Sequence, residues 1–322
     1  MLDHRVNDPD ATRPAIGGEQ LDWDRFDQGM ALLYPRGQNS LSLAWLRPEG
    51  GWLNLINAKP GQLQSLDRLL RQTQEHLDAK AWISLAWLPV AEEPTPASMP
   101  DAKVALQFIR QSTPNLRTFC SFDEPARAPA PACAHLDGLV DIWAFNREDF
   151  SPAFIAAQRR DGREVWLSVA PNAPAPWALN TPPARQRALC WRLRRLGFTG
   201  LRGPAVNPWR QDPWRHPVQD PAAAAWLIYP SPQGPVDSIR WEILRDSIED
   251  ADCLAILDRL LQRAKTLQPS LWERHKDLLN TDAISADPTP ESIELRRLHM
   301  AQAIETLTQA LKPGKDAPRS AP

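Results

Sequence analysis

The sequence has few of the residues most often recruited for metal, redox and covalent chemistry. Its four cysteines, Cys120, Cys133, Cys190 and Cys253, are scattered, and no pair has metal-ligand spacing. They read as reduced, buried thiols. The six histidines, His4, His76, His135, His216, His275 and His299, are just as dispersed. No metal and no organic cofactor is therefore implied. There is no glycine-rich phosphate loop and no Gly-x-Ser-x-Gly elbow. No apolar run is long enough to span a bilayer, so no membrane partner is expected. The first twenty residues, MLDHRVNDPDATRPAIGGEQ, are polar and lack the apolar core of a signal peptide. The expectation is a cytoplasmic protein with a disordered tail over 1–20. Charge of neither sign dominates, with 37 basic against 39 acidic residues. Without a basic stripe interleaved with aromatics, nucleic acid is not an expected partner.

Two residue types are abundant. The 33 prolines are about twice the usual share. There are 14 tryptophans beside only two tyrosines. Tryptophan fills cores, and its flat apolar face also stacks against sugar rings. The length of 322 residues suits one large α/β domain or two smaller ones.

Along the chain, apolar runs of strand length alternate with segments of helical period. Strand-like stretches are Leu41–Leu46, Trp82–Val90, Leu116–Phe122, Leu139–Phe145, Glu164–Val169, Gly200–Asn207 and Trp226–Tyr229. Helical spacing covers Gln62–Ala79, Ala102–Gln111, Pro152–Arg160 and Pro183–Leu196. Pro235–Leu261 reads as helical throughout, with Ile239, Ile243, Leu244, Ile248, Leu254, Leu257 and Leu261 as its apolar stripe. Asp237 or Ser238 can cap it, and Arg245 can pair with Glu242 and Glu249. A linker over 267–290 leads to a final amphipathic helix over 291–312, with Ile293, Leu298, Ala301, Ile304 and Leu311 on one side. The last residues, 313–322, form a polar tail. Alternating strands and helices imply parallel pairing. The fold expected over 21–266 is an α/β structure, a (β/α) barrel that is incomplete or irregular because only about seven strands are visible. A doubly wound open sheet is the alternative.

Chemistry in such folds sits at the C-terminal ends of strands. Two acidic pairs fall there: Glu92-Glu93 before Pro94, and Asp123-Glu124 before Pro125. Adjacent carboxylates at a strand end suit general acid/base work, although composition alone favours reading each pair as a solvated loop.

A set of short landmarks occurs in a fixed order: Trp23-x-x-Phe26-Asp27, His76-Leu77, Ala81-Trp82, Glu92-Glu93-Pro94, Asp141-Ile142-Trp143 and Gly162-Arg163-Glu164-Val165-Trp166. It continues through Arg187 with Trp191, Asn207 with Trp209, Tyr229-Pro230, Ser238-Ile239-Arg240 and the Arg296 helix. In this order the chain resembles the barrel portion and C-terminal helices of glycoside hydrolase family 123, over about residues 21–311. The resemblance implies substrate-assisted, retaining hydrolysis of a β-linked N-acetylgalactosaminide or related 2-acetamido sugar. It makes Glu93 the acid/base and Glu92 the group that orients the 2-acetamido substituent, with Asp123 and Glu124 as second choice. Trp143, Trp166, Asn207, Trp209 and Tyr229 are implied sugar-binding residues, and a carbohydrate is the implied ligand. The chain departs from the family pattern in four ways. Glu92 stands where the family has aspartate, Leu201-Arg202-Gly203-Pro204 where it carries aromatic residues, and Ala223-Ala224-Ala225 where it has Gly-Asp-Gly before Tyr-Pro. Family enzymes are also longer, with an N-terminal β-sandwich and early barrel strands not expected here. Among the landmarks, Ala81 stands for the glycine before tryptophan. These differences leave open a second reading, a non-catalytic carbohydrate-binding or structural descendant of the hydrolase fold.

Overall fold

The computed structural model describes residues 15–17, 20–48, 51–123, 132–169, 175–203, 206–207, 212–215 and 226–312. The chain divides into two compact units: residues 1–171 with 197–204, and residues 172–196 with 205–322. The span expected to form one barrel domain is thus shared between both.

The first unit opens with a short antiparallel hairpin, β1 (Ala15–Gly17) and β2 (Gln20–Asp22). Helix α1 (Asp24–Leu33) follows. A six-stranded, all-parallel sheet is laid down in chain order: β3 (Leu41–Ser42), β4 (Ala86–Glu92), β5 (Arg117–Phe122), β6 (Ile142–Phe145), β7 (Glu164–Ser168) and β8 (Gly200–Arg202). Connections carry α2 (Pro60–Ala79), α3 (Met99–Ser112) and α4 (Pro152–Arg160).

The sheet is strongly curled. Trp87 on β4 and Trp166 on β7 have two strands between them, about 14 Å in a flat sheet, yet their rings meet edge-on at 5.5 Å. Phe119 on β5 fills the angle between them, 4.6 Å from Trp87. With Ile142 and Ala144 these rings form the packed interior of a half-barrel. The other face carries Trp143, Phe122 and Phe145 against Phe150 and Phe154. Period-two alternation therefore supplies two aromatic layers, one inside the curl and one beneath the helices. Among the described residues the sheet has six strands, a curled half-barrel. The expected seventh strand does not join it. Ile228–Ser231 (β9) instead folds back antiparallel on Gly234–Asp237 (β10), with Gly234 at φ 126° supplying the left-handed turn. The stretch expected as Leu41–Leu46 is a strand only at Leu41–Ser42, because Ala44–Leu46 winds into a 3-10 turn.

The early landmarks converge on one spot. His76 stacks on Trp23 at 4.0 Å, and its Nε2 lies 2.7 Å from Asp27 Oδ1. Lys80 Nζ reaches the other Asp27 oxygen, and Trp82 packs 6.2 Å from Phe26. Residues spread from 23 to 82 thus fasten α1 to the end of α2.

The second unit is helical. It holds α5 (Pro183–Arg187), α6 (Leu189–Leu196), α7 (Ile239–Leu267), α8 (Pro269–His275), α9 (Asp282–Ala286) and α10 (Pro290–Ala310), with the β9–β10 hairpin. Three expectations change. Pro235–Asp237 is strand, and helix α7 starts only after Ser238, whose hydroxyl accepts from the Trp241 N–H. The 267–290 stretch, read as a linker, contains α8 and α9. The apolar stripes are also rotated. Ile239 and Ile248 are exposed, whereas Trp241, Leu244, Leu254, Leu257 and Leu261 are buried. On α10 the buried line is Ile293, Met300, Ala303 and Leu307, with Leu298 outside. No helix among the described residues is long and apolar enough to cross a membrane.

Candidate active site

The C-terminal rim of the half-barrel is where β4 would present Glu92, and simple alternation points that residue the wrong way. Trp87 faces inward, and Glu92 lies an odd number of residues later. A bulge corrects the parity: Pro89 pairs with Phe119, then Ala91 with Cys120 and Glu92 with Ser121, leaving Val90 as the extra residue. Glu92 therefore shares the inner face with Ser121. The Cys120 thiol, level with the bulge and facing outward, is pushed up to about 12 by burial, so it is an inert apolar group.

Arg202 at the end of β8 reaches Glu92 directly, with Nη2 2.6 Å from Oε1. Three strands separate their backbones, about 19 Å in a flat sheet. Only the curl lets the side chains meet. The Arg202 guanidinium lies 5.1 Å over the Phe119 ring, and its Nη1 is 3.5 Å from Ser168 Oγ. Arg202 thus rests on the aromatic interior at the C-terminal rim of the sheet. Gly200 makes room beneath it: a Cβ there would sit 2.5 Å from the Trp166 indole. The indole is anchored below by Nε1–H donating to Glu164 Oε2 at 2.7 Å, and Glu164 is ion-paired with Arg117.

Glu93 follows with a left-handed backbone, φ 51°, while its N–H donates to Ser121 O at 2.8 Å. A non-glycine residue held there costs about 1–2 kcal/mol. Its side chain is exposed at the rim. On the next strands Asp123 Oδ1 accepts from Asn146 Nδ2 at 2.6 Å. The rim is consequently polar: Glu92, Glu93, Ser121, Asp123, Asn146, Ser168 and Arg202.

The structure brings together three expected site residues, Glu92, Glu93 and Asp123, with Trp166 below them. Trp143 is corrected: it is wholly buried on the helix-facing side, packed on Phe122 and Phe154. Neighbours on one strand face opposite ways, so Trp143 cannot wall a site at the inner mouth. Glu124 and Trp209 lie outside the described residues. Asn207, which is exposed, and Tyr229 belong to the second unit. There the Tyr229 hydroxyl accepts from Arg240 at 3.0 Å, and its ring lies 4.9 Å from Trp214. Trp214 is 61 % exposed and donates Nε1–H to Pro230 O. Sequence reasoning missed Ser121, Asn146 and Ser168. Counting by twos from Phe119, Ala144 and Trp166 would have found all three.

The family model "Glycoside hydrolase 123, catalytic domain" matches residues 51–257, well over half of the chain. This chain belongs to glycoside hydrolase family 123. Among solved structures, a family 123 glycoside hydrolase from Clostridium perfringens is similar in fold, with a TM-score of 0.56 and 14% identity. The similarity covers 90% of this chain and 56% of that one. The chain thus spans little more than half the length of that family 123 relative. No curated protein sequence matches.

Proposed function

We propose that this family 123 chain hydrolyses terminal β-linked 2-acetamido sugars, N-acetylgalactosaminides first among them, with Glu93 as proton carrier. The observation that supports this reading is the bulge in β4. It puts Glu92 on the inner face of the rim and leaves Glu93 beside it in a left-handed backbone. Glu92 would hold the acetamido N–H while the acetamido carbonyl oxygen attacks the anomeric carbon. The glycosidic bond breaks as Glu93 protonates the leaving oxygen. Water then adds to the anomeric carbon, returns a proton to Glu93 and reopens the cyclic intermediate. The enzyme supplies no nucleophile, unlike two-carboxylate retaining enzymes. Trp166 supports the inner face in this reading, and Asp123 with Asn146 offers hydrogen bonds to sugar hydroxyls.

A second reading is sugar binding without turnover. It is favoured by the Glu92–Arg202 pair, which already neutralises the orienting carboxylate. Release of the aryl group from aryl β-N-acetylgalactosaminide and β-N-acetylglucosaminide decides between the two. Turnover that falls about 10²–10⁴-fold in Glu93→Gln is expected. Turnover indifferent to that substitution removes Glu93 from its role. Calorimetric binding of N-acetylgalactosamine without any turnover establishes the second reading.

A further inference from the structure

We infer that Arg202 is the positioning residue that makes Glu92 usable as the acetamido-orienting group. The inference rests on the glycosidase reading above. A glutamate carries one more rotatable bond than an aspartate, and its carboxylate travels about an ångström further from the backbone. Displacement of that size is enough to cost about a hundredfold in rate when a group must meet a reacting atom. Something must therefore hold the longer arm. Arg202 does so from across the sheet: its Nη2 takes Glu92 Oε1 at 2.6 Å. That contact occupies one carboxylate oxygen, and the second serves as acceptor for the substrate N–H. The clamp is itself fixed. The guanidinium lies over Phe119, Ser168 stands at its other arm, and Gly200, two residues earlier on the same face, admits the Trp166 indole beneath.

The test is steady-state kinetics on an aryl β-N-acetylgalactosaminide with wild type, Arg202→Met, Arg202→Lys, Glu92→Gln and the Arg202→Met/Glu92→Gln double variant. Methionine keeps packing on Phe119 while removing the charge. The expected result is a 10–100-fold lower kcat in Arg202→Met with KM changed less than threefold and the melting midpoint unchanged. Arg202→Lys should recover part of the loss. In the Glu92→Gln background, removing Arg202 should cost less than threefold, because the group it positions is already lost. Should Arg202→Met fail to fold, the lysine variant alone carries the test: kcat within twofold of wild type at a changed contact geometry overturns the role. An unchanged kcat in Arg202→Met, or an equal loss with and without Glu92, overturns the positioning role and leaves the glycosidase reading standing. A wild type inert on both aryl sugars removes that reading and Arg202's role together.

Discussion

Ala81 and Glu93 are the two non-glycine residues with positive φ among the described residues, and they carry opposite meanings. Ala81, at φ 58°, closes the end of α2 ahead of Trp82, a place where the family pattern has glycine. Nothing about that turn needs a β-carbon, so the strain there is a local cost. Ala81→Gly should raise stability by about 0.5–1 kcal/mol, read as a higher urea midpoint. Glu93 is strained at the exposed rim, at φ 51°. Under the acid/base role proposed for it, Glu93→Gly should stabilise the fold and remove turnover together. Gly200 is the converse case. A β-carbon at 2.5 Å from a packed indole must displace Trp166, so Gly200→Ala should cost about 1–3 kcal/mol in the same denaturation assay.

Among the elements, α7 shows how an apolar pattern can mislead. Its inward face runs Trp241, Leu244, Ser247, Asp250, Leu254, Leu257, Leu261, Ala264, a continuous line at helical spacing with two polar residues in it. A search for an apolar stripe steps around Ser247 and Asp250 and picks Ile239 and Ile248, which face out. Asp250 has no exposed side-chain surface, and its carboxylate lies between Arg187 Nε at 3.1 Å and Arg297 Nε at 2.7 Å. One carboxylate therefore ties α5, α7 and α10 together. Arg187 also reaches Glu294 at 2.8 Å. Asp250→Ala leaves two arginines beside an emptied, buried place, and should destabilise by about 3–5 kcal/mol in chemical denaturation. Ser238→Ala, which loses only the cap of the same helix, should cost about 1 kcal/mol.

For the whole molecule, balanced charge conceals many specific pairs. Carboxylates from Asp27 through Glu92, Asp141, Glu164 and Asp258 each meet a cation. Acid titrates such pairs, and Asp27 shows the sign. Burial pushes its pKa up, but hydrogen bonds from Lys80 and His76, with their charges, outweigh this and leave it below the usual carboxylate value. A lowered folded pKa means stability that is present above the unfolded value of about 3.9 and lost as pH falls through the folded one. Urea midpoints measured downward from pH 6 should fall most steeply below about pH 4, and Asp27→Asn should flatten that fall while lowering the plateau.

Legibility in the sequence followed the range of the interaction responsible. Short-range patterns placed the four inner strands, the helices Pro60–Ala79 and Pro152–Arg160, and the acidic pair at a strand end, because backbone period and turn chemistry are local. The order of short landmarks was enough to indicate the family. The curl of the sheet, the bulge at Val90 that turns Glu92 inward and the reach of Arg202 across three strands were decided only by tertiary structure. So were the burial of Asp250 and the outward placement of Trp143 beneath the helices. Each depends on which face of an element meets which neighbour. A linear pattern gives that only up to one residue of register, and in a strand one residue is the difference between the inside and the outside.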